Sequence, residues 1–405
     1  MALPGRDPLA WVGSELDRLR REGLHRRLVP FERPDAGTAV GEGRRYVNLS
    51  SNDYLGVAAD GALLERFLER TRAERDPLSS LGLGGGSSRL LAGHTPAIEA
   101  LEAELAALAG REAALVFSSG YHANAGILPA LAGPGDAIFS DALNHASLVD
   151  GCRLSGAEVH VYRHLDLGHL EELLRARRPA SGRALVVTES LFSMDGDSPD
   201  LPALAALKER FGAALLVDEA HAVGLFGPGG AGLCRGTGVD GRVEVLVGTF
   251  GKALGSAGAF AACASPVKEY LVNRARTLLY TTAPPPAVVA WTRFVVGCLP
   301  ALQPRRDRLL ALAARFREAL AARGLRTGGR SQIVPVVLGE NTAAVSAAEL
   351  LRGQGFLLFP IRPPTVPAGT ARLRFSLTSA LAWEELEEIP ELLAGGKSTP
   401  PRGAS

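Results

Sequence analysis

Lys252 is the residue around which a reaction can be built. It stands in the run Val245 to Gly258, VLVGTFGKALGSAG, where a β-favouring apolar stretch delivers one amine into a turn of small residues. A lysine at the end of a core strand is costly unless its charge is paired, solvated or chemically consumed, and condensation with an aldehyde consumes it. Gly251 and Gly255 leave room beside it for a flat ligand. Taken alone, the same stretch also reads as a solvated lysine at a strand end.

A second stretch, Ala214 to His221 (ALLVDEAH), is an apolar strand that ends in two acids and a histidine. An aromatic ring used as an electron sink needs its nitrogen protonated, and a buried carboxylate such as Asp218 can hold that proton. At about 3 Å and an effective dielectric of about 20, the pair is worth roughly 5 kcal/mol before desolvation. Even half of that is about two pKa units. His221, three residues on, is placed to donate to a ring oxygen, or is an ordinary loop histidine.

The strings VVTESLFSMDGD (Val186 to Asp197), LLVDEAH (Leu215 to His221) and TFGKALG (Thr249 to Gly255) together resemble the α-oxoamine synthases. These are pyridoxal-phosphate enzymes of the aspartate-aminotransferase fold type. IRPPTVPAGTARLR (Ile361 to Arg374) and SNDYLG (Ser51 to Gly56) are most similar to the branch that acts early in biotin synthesis, and the likeness runs from about Leu24 to Leu393. It implies an α/β fold: a large, doubly wound, mainly parallel sheet domain and a smaller α+β domain. It also implies pyridoxal 5'-phosphate on Lys252, and a homodimer with shared active sites. The reaction implied is decarboxylative condensation of L-alanine with pimeloyl-CoA or a pimeloyl carrier protein. A sibling acyl-CoA enzyme that uses glycine, such as a glycine C-acetyltransferase, is the alternative.

The resemblance assigns further residues. His145, in LNHASLVDG, lies over the cofactor ring; read alone it is a helix-capping or core histidine. Ser193 contacts the cofactor, Asn52 and Thr365 contact substrate, and Arg26 or Arg27 of LHRRLVP meets the acyl chain's distal carboxylate, with Arg26 preferred. Thr281 or Thr282 of LLYTTAPPP reaches the neighbouring subunit's phosphate. From the residues themselves, strand, glycine and helix at Ala113 to Leu131 make the amides of Gly120 and Tyr121 a phosphate site, and Thr249, three residues before the lysine, is a candidate phosphate hydroxyl. Arg372 and Arg374 share one strand face, and either can clamp a carboxylate with a bidentate fork.

Other patterns carry less. The glycine run Gly82 to Gly86 follows the charged TRAERDPLSS rather than a strand, so it is a loop at a site entrance and not a dinucleotide fingerprint. His160, His164 and His169 alternate with strand residues, and MDGD is a turn, so no metal site is expected. Lys plus Arg total 44 against 43 Asp plus Glu, with no basic stripe, which excludes a nucleic-acid surface. The four cysteines form no CxxC, which fits a reducing cytosol. No apolar run resembles a signal peptide, and none reaches membrane length without a charge or proline, so a cytoplasmic protein off the membrane is expected.

The elements that must position these residues follow from periodicity. Leu9, Val12, Leu16 and Leu19 mark an amphipathic arm that should pack on something, and Tyr46 to Ser50 a short strand. A helix opens at Thr95-Pro96, buries Ile98, Leu101, Leu105 and Leu108, and closes at Gly110. Strands and helices alternate from 110 to 265, which predicts a doubly wound sheet with its ligand at the carboxyl ends of the strands. Beyond it come a helix with Leu309, Leu312, Phe316 and Leu320 inward, then strands at Ile333 to Leu338, Gly355 to Phe359 and Arg372 to Leu377. The expected division is 1–45 as a helical arm, 46–289 as the large domain, 290–394 as the small domain and 395–405 as a disordered tail.

Overall fold

The computed structural model describes residues 7–73 and 81–395. Seven strands form the main sheet, in the order Ala113–Phe117, Ala259–Cys263, Val245–Thr249, Ala214–Asp218, Ala184–Glu189, Ala137–Asp141, Glu158–Tyr162. All pairings are parallel except the two made by Ala259–Cys263, which is antiparallel to both neighbours. Alternate residues of each strand enter different cores. Val116, Val186, Leu215, Val217 and Leu246 pack in one cluster, whereas Leu115, Leu185, Val187, Leu216 and Val247 pack in the other. Apolar residues on both faces are what a sheet covered by helices on both sides requires.

The helix Pro96–Ala109 buries Ile98, Leu101 and Leu105, and it ends where Gly110 turns left-handed at φ 67°. The long helix Gln303–Ala322 buries Leu309, Leu312, Phe316 and Leu320 as its spacing predicts. Ile333–Gly339, Ala371–Ser376 and Pro360–Ile361 make a small antiparallel sheet. Residue 290, where the small domain is expected to begin, falls inside the helix Pro286–Cys298.

The structure departs from expectation in three places. The single strand expected at Gly355 to Phe359 is two short ones: Phe356–Leu357 pairs in parallel with Arg44–Asn48, and Pro360–Ile361 joins the other sheet. Pro360 has no N–H with which to continue the first ladder. The arm is helical over Trp11–Arg21 only; Thr38–Gly41 and Arg44–Asn48 form a hairpin. That helix buries no residue in the protomer, and Leu9, Trp11, Val12 and Leu16 stay exposed, so the expected packing is absent here. The tail from 396 lies outside the described residues.

The helical run Pro286–Ala322 contains, among the described residues, the one helix that is long and apolar enough to cross a membrane. Its Val289, Phe294, Val295, Leu309 and Phe316 are instead buried in the main core.

Candidate active site

Asp218 closes its strand, and Lys252 stands three residues beyond the neighbouring strand Val245–Thr249. These strands are parallel and in register, with Asp218 opposite Val247, so both side chains arrive at the same carboxyl edge. The Nζ of Lys252 lies 2.9 Å from Nε2 of His221, and Nδ1 of that ring lies 2.6 Å from the Tyr54 hydroxyl. Asp218 is buried, and each of its oxygens accepts one hydrogen bond: from the Ala220 N–H at 2.8 Å and from Nδ2 of Asn124 at 2.7 Å. Asn124 also donates to Ser147 at 2.9 Å.

Burial dominates the electrostatics. It pushes the Lys252 amine below its ordinary value, against the opposing pull of Asp218 and Glu189. It drives the His221 imidazole well down, with Lys252 and Arg374 acting in the same direction, so this histidine is neutral. The Glu189 carboxyl is raised by burial and by the charge of Asp218, and it accepts the His145 N–H at 2.7 Å. His145 is a helix-capping residue. Its Nδ1 accepts from the Ser147 N–H and caps the helix Ala146–Ser155, while the residue also lines the main cavity.

The opposite end of the site is shaped for an anion. The helix Gly120–Leu131 presents its N-terminus there, with Ser119 accepting the His122 N–H at 3.1 Å. A Cβ on Gly120 would stand 2.7 Å from Cγ2 of Thr249, so only glycine lets the loop come this close. Oγ1 of Thr249 and Nδ1 of His122 are buried without a partner. Free helix amides and an unspent hydroxyl suit a phosphate, and the buried Asp218 with its Asn124 support suits a protonated ring nitrogen. The residues present therefore fit pyridoxal phosphate. The Tyr121 hydroxyl is committed to Asp150, to which it donates at 2.7 Å, so its backbone amide is the group left for the phosphate.

A cavity of about 770 Å³ is lined by Arg26, His145, Ser193, Thr365 and Arg372, among others. Arg372 and Arg374 do share a face, and both reach the SMD turn. Arg372 is spent, paired with Asp195 and donating to the Thr370 carbonyl at 2.9 Å. Arg374 donates to the Ser193 carbonyl, to Asn52 Oδ1 at 3.2 Å and to the Tyr54 hydroxyl at 3.4 Å, beside the lysine and histidine. Arg27 is exposed and sits 3.7 Å from Glu42, away from the cavity that Arg26 lines. Thr282 bridges Ser88 of the glycine-rich loop. His164 sits between Asp141 at 2.8 Å and Asp197 at 3.2 Å, as an ion bridge. His169 accepts the Arg163 N–H instead.

Tyr54, Asn124 and Glu189 were not singled out from the sequence. Tyr54 sits inside SNDYLG and Glu189 inside VVTESLFSMDGD, but no local spacing marks a residue whose partner lies in another segment.

The chain is 46% identical over 392 residues to an 8-amino-7-oxononanoate synthase from Chlorobaculum parvum, covering 96% of this chain and 98% of that protein. The chain belongs to the 8-amino-7-oxononanoate synthase family. Residues 44–393 also match the model of the class I and II aminotransferases. Its fold is the aspartate-aminotransferase-like fold of pyridoxal-phosphate enzymes, and it is an acyltransferase-type enzyme of biotin biosynthesis with pyridoxal phosphate as cofactor. A serine palmitoyltransferase from S. paucimobilis, solved with a bound PLP-myriocin aldimine, superposes at TM-score 0.86 with 31% identity, over 96% of this chain and 98% of that one. An 8-amino-7-oxononanoate synthase from Francisella tularensis superposes at 0.73 with 27% identity, over 86% and 97%.

Proposed function

We propose that this member of the 8-amino-7-oxononanoate synthase family condenses L-alanine with a pimeloyl thioester, carried on coenzyme A or on an acyl carrier protein. The products are 8-amino-7-oxononanoate, carbon dioxide and the free carrier. Bound pyridoxal phosphate supplies an aldehyde for the amino acid's nitrogen and a ring that stores the charge left when a bond to Cα breaks. Gly120, Tyr121 and Thr249 hold its phosphate, and Asp218, supported by Asn124, holds the proton on its ring nitrogen. His145 covers the ring, and Ser193 and His221 contact its edge.

Lys252 takes the Cα proton. An amine kept below its ordinary pKa by burial is a competent base near neutrality. Arg374, with Asn52 beside it, clamps the alanine carboxylate, while Arg372 holds the turn that carries Ser193. Arg26 meets the distal carboxylate of the pimeloyl chain, and Thr365 lines its path. The observation that carries this reading is the juxtaposition of Lys252, His221 and Asp218 at adjacent strand ends, with Arg374, which unlike Arg372 is paired with no carboxylate among the described residues, beside them.

The active unit is a homodimer in which Thr281 or Thr282 reaches the partner's phosphate. In support, Leu83, Leu91 and Tyr280 expose large apolar surfaces beside these threonines and the glycine-rich loop. Four free cysteines, three of them buried, suit a reducing cytosol. Incubation with alanine or glycine, each with pimeloyl-CoA or acetyl-CoA, tests the reading by product mass. Only the alanine and pimeloyl pair should give 8-amino-7-oxononanoate; a better yield from glycine and acetyl-CoA would transfer the chain to the sibling activity.

A further inference from the structure

Tyr54 is fully buried, yet its hydroxyl meets three polar groups. Arg374 can only donate, so its approach at 3.4 Å uses a lone pair of the phenol oxygen. The phenol proton must then go to Asn52 Oδ1 at 3.2 Å or to His221 Nδ1 at 2.6 Å. Asn52 Oδ1 already accepts from Arg374 at 3.2 Å, and the Ser376 hydroxyl beside it gives its proton to the Ser51 carbonyl at 2.6 Å. The shorter contact, to a nitrogen with no other donor, takes the proton.

That choice decides the far side of the ring. In a neutral imidazole one nitrogen accepts and the other carries the hydrogen. If Nδ1 accepts from Tyr54, then Nε2 is N–H, and Nε2 is the atom 2.9 Å from the Lys252 amine. We propose that Tyr54 is a positioning residue that fixes His221 as its Nε2–H tautomer, so that the lysine faces a proton donor rather than an acceptor. A donor favours the free amine over the ammonium. Arg374 adds positive charge near the His221 ring, while Asp218 opposes it at the lysine. The same Nε2–H is available to an oxygen of the cofactor.

The turn is built to hold Tyr54 still. Asp53 accepts the Val57 and Ala58 N–H groups at 2.8 and 3.0 Å, and the Tyr54 carbonyl accepts the Ser379 N–H at 2.7 Å. The lysine loop presses on this turn, because a Cβ on Gly255 would meet the Ala58 nitrogen at 2.6 Å.

The proposal rests on Lys252 being the reactive amine, and one preparation separates the two. Full-length protein loaded with pyridoxal phosphate and labelled with 15N-histidine reports which nitrogen of His221 bears hydrogen, the signal being assigned by its loss in His221→Gln. The wild type should carry hydrogen on Nε2. Tyr54→Phe, which keeps the ring packing, should lower the ratio of Nε2–H to Nδ1–H about tenfold, as loss of one strong hydrogen bond predicts. Hydrogen on Nδ1 in the wild type, or an unchanged ratio in Tyr54→Phe, overturns the proposal, and the wild-type spectrum decides even if the variant fails to fold. Borohydride reduction of the same sample, followed by peptide mass mapping, tests the underlying reading: an adduct off Lys252 sinks that assignment whatever the tautomer.

Discussion

Arg374 and Asn52 meet at 3.2 Å, guanidinium to side-chain carbonyl, across 322 positions of the chain. This contact places an arginine fork from the small sheet near Lys252, at the strand ends of the large one. It also separates two arginines that the RLR string leaves equivalent.

Arg374→Ala should raise the KM for alanine about 10- to 100-fold, the loss expected for a charge-assisted pair, with little change in folding. Arg372→Ala should act the other way. It leaves Asp195 without its buried partner and should cost about 2–3 kcal/mol in a denaturant titration, with a smaller change in KM. The opposite pattern would exchange the roles of the two.

Lys252→Ala should abolish both turnover and the visible absorbance of a lysine-bound cofactor. A variant that keeps both rejects the lysine. Asp218→Asn should still fold, yet lose about two orders of magnitude in exchange of the alanine Cα hydrogen with solvent deuterium, because the ring nitrogen loses its anionic partner.

Thr249→Val gives a split result if the hydroxyl is reserved for phosphate. Its Oγ1 has no partner among the described residues, so the cofactor-free form should melt no lower than wild type. Cofactor affinity should fall about tenfold, measured by fluorescence titration with pyridoxal phosphate.

His164 predicts a pH dependence. Burial lowers its pKa, but its hydrogen bonds to the Asp141 and Asp197 carboxylates outweigh that and raise the group to about 9. A folded pKa above the unfolded value near 6.5 means that its stabilisation is complete below about pH 6.5 and lost as pH rises through 9. At most about 3 kcal/mol is at stake, less after solvent screening. Wild type should therefore lose more stability between pH 6.5 and 9.5 than His164→Gln does, in parallel urea melts. Equal slopes would remove the bridge from the account.

Much of this site was legible in the sequence, because parallel strands announce themselves as apolar runs and their ligands gather at the carboxyl ends. Lys252, Asp218 and His221 could be placed that way, and Gly120 by the strand-to-helix turn. Tyr54, Asn124 and Glu189 could not: each acts through a residue on another segment, and only the assembled sheet brings them together. The exposed apolar face of Trp11–Arg21 was misjudged for the same reason, since periodicity says which side is apolar and not what lies against it.

The ribbon Arg44–Asn48 takes Phe356–Leu357 as its neighbour, so it emerges from the ribosome long before its companion is synthesised. A nascent chain halted after residue 263 already owns every strand of the large sheet, together with its lysine, aspartate and histidine. It lacks the guanidinium of Arg374 and the pairing that anchors the residues before Asn52. Translation can thus finish the strand edge that bears Lys252 and Asp218 early, but Arg374 reaches Asn52 only as the last segment is threaded home.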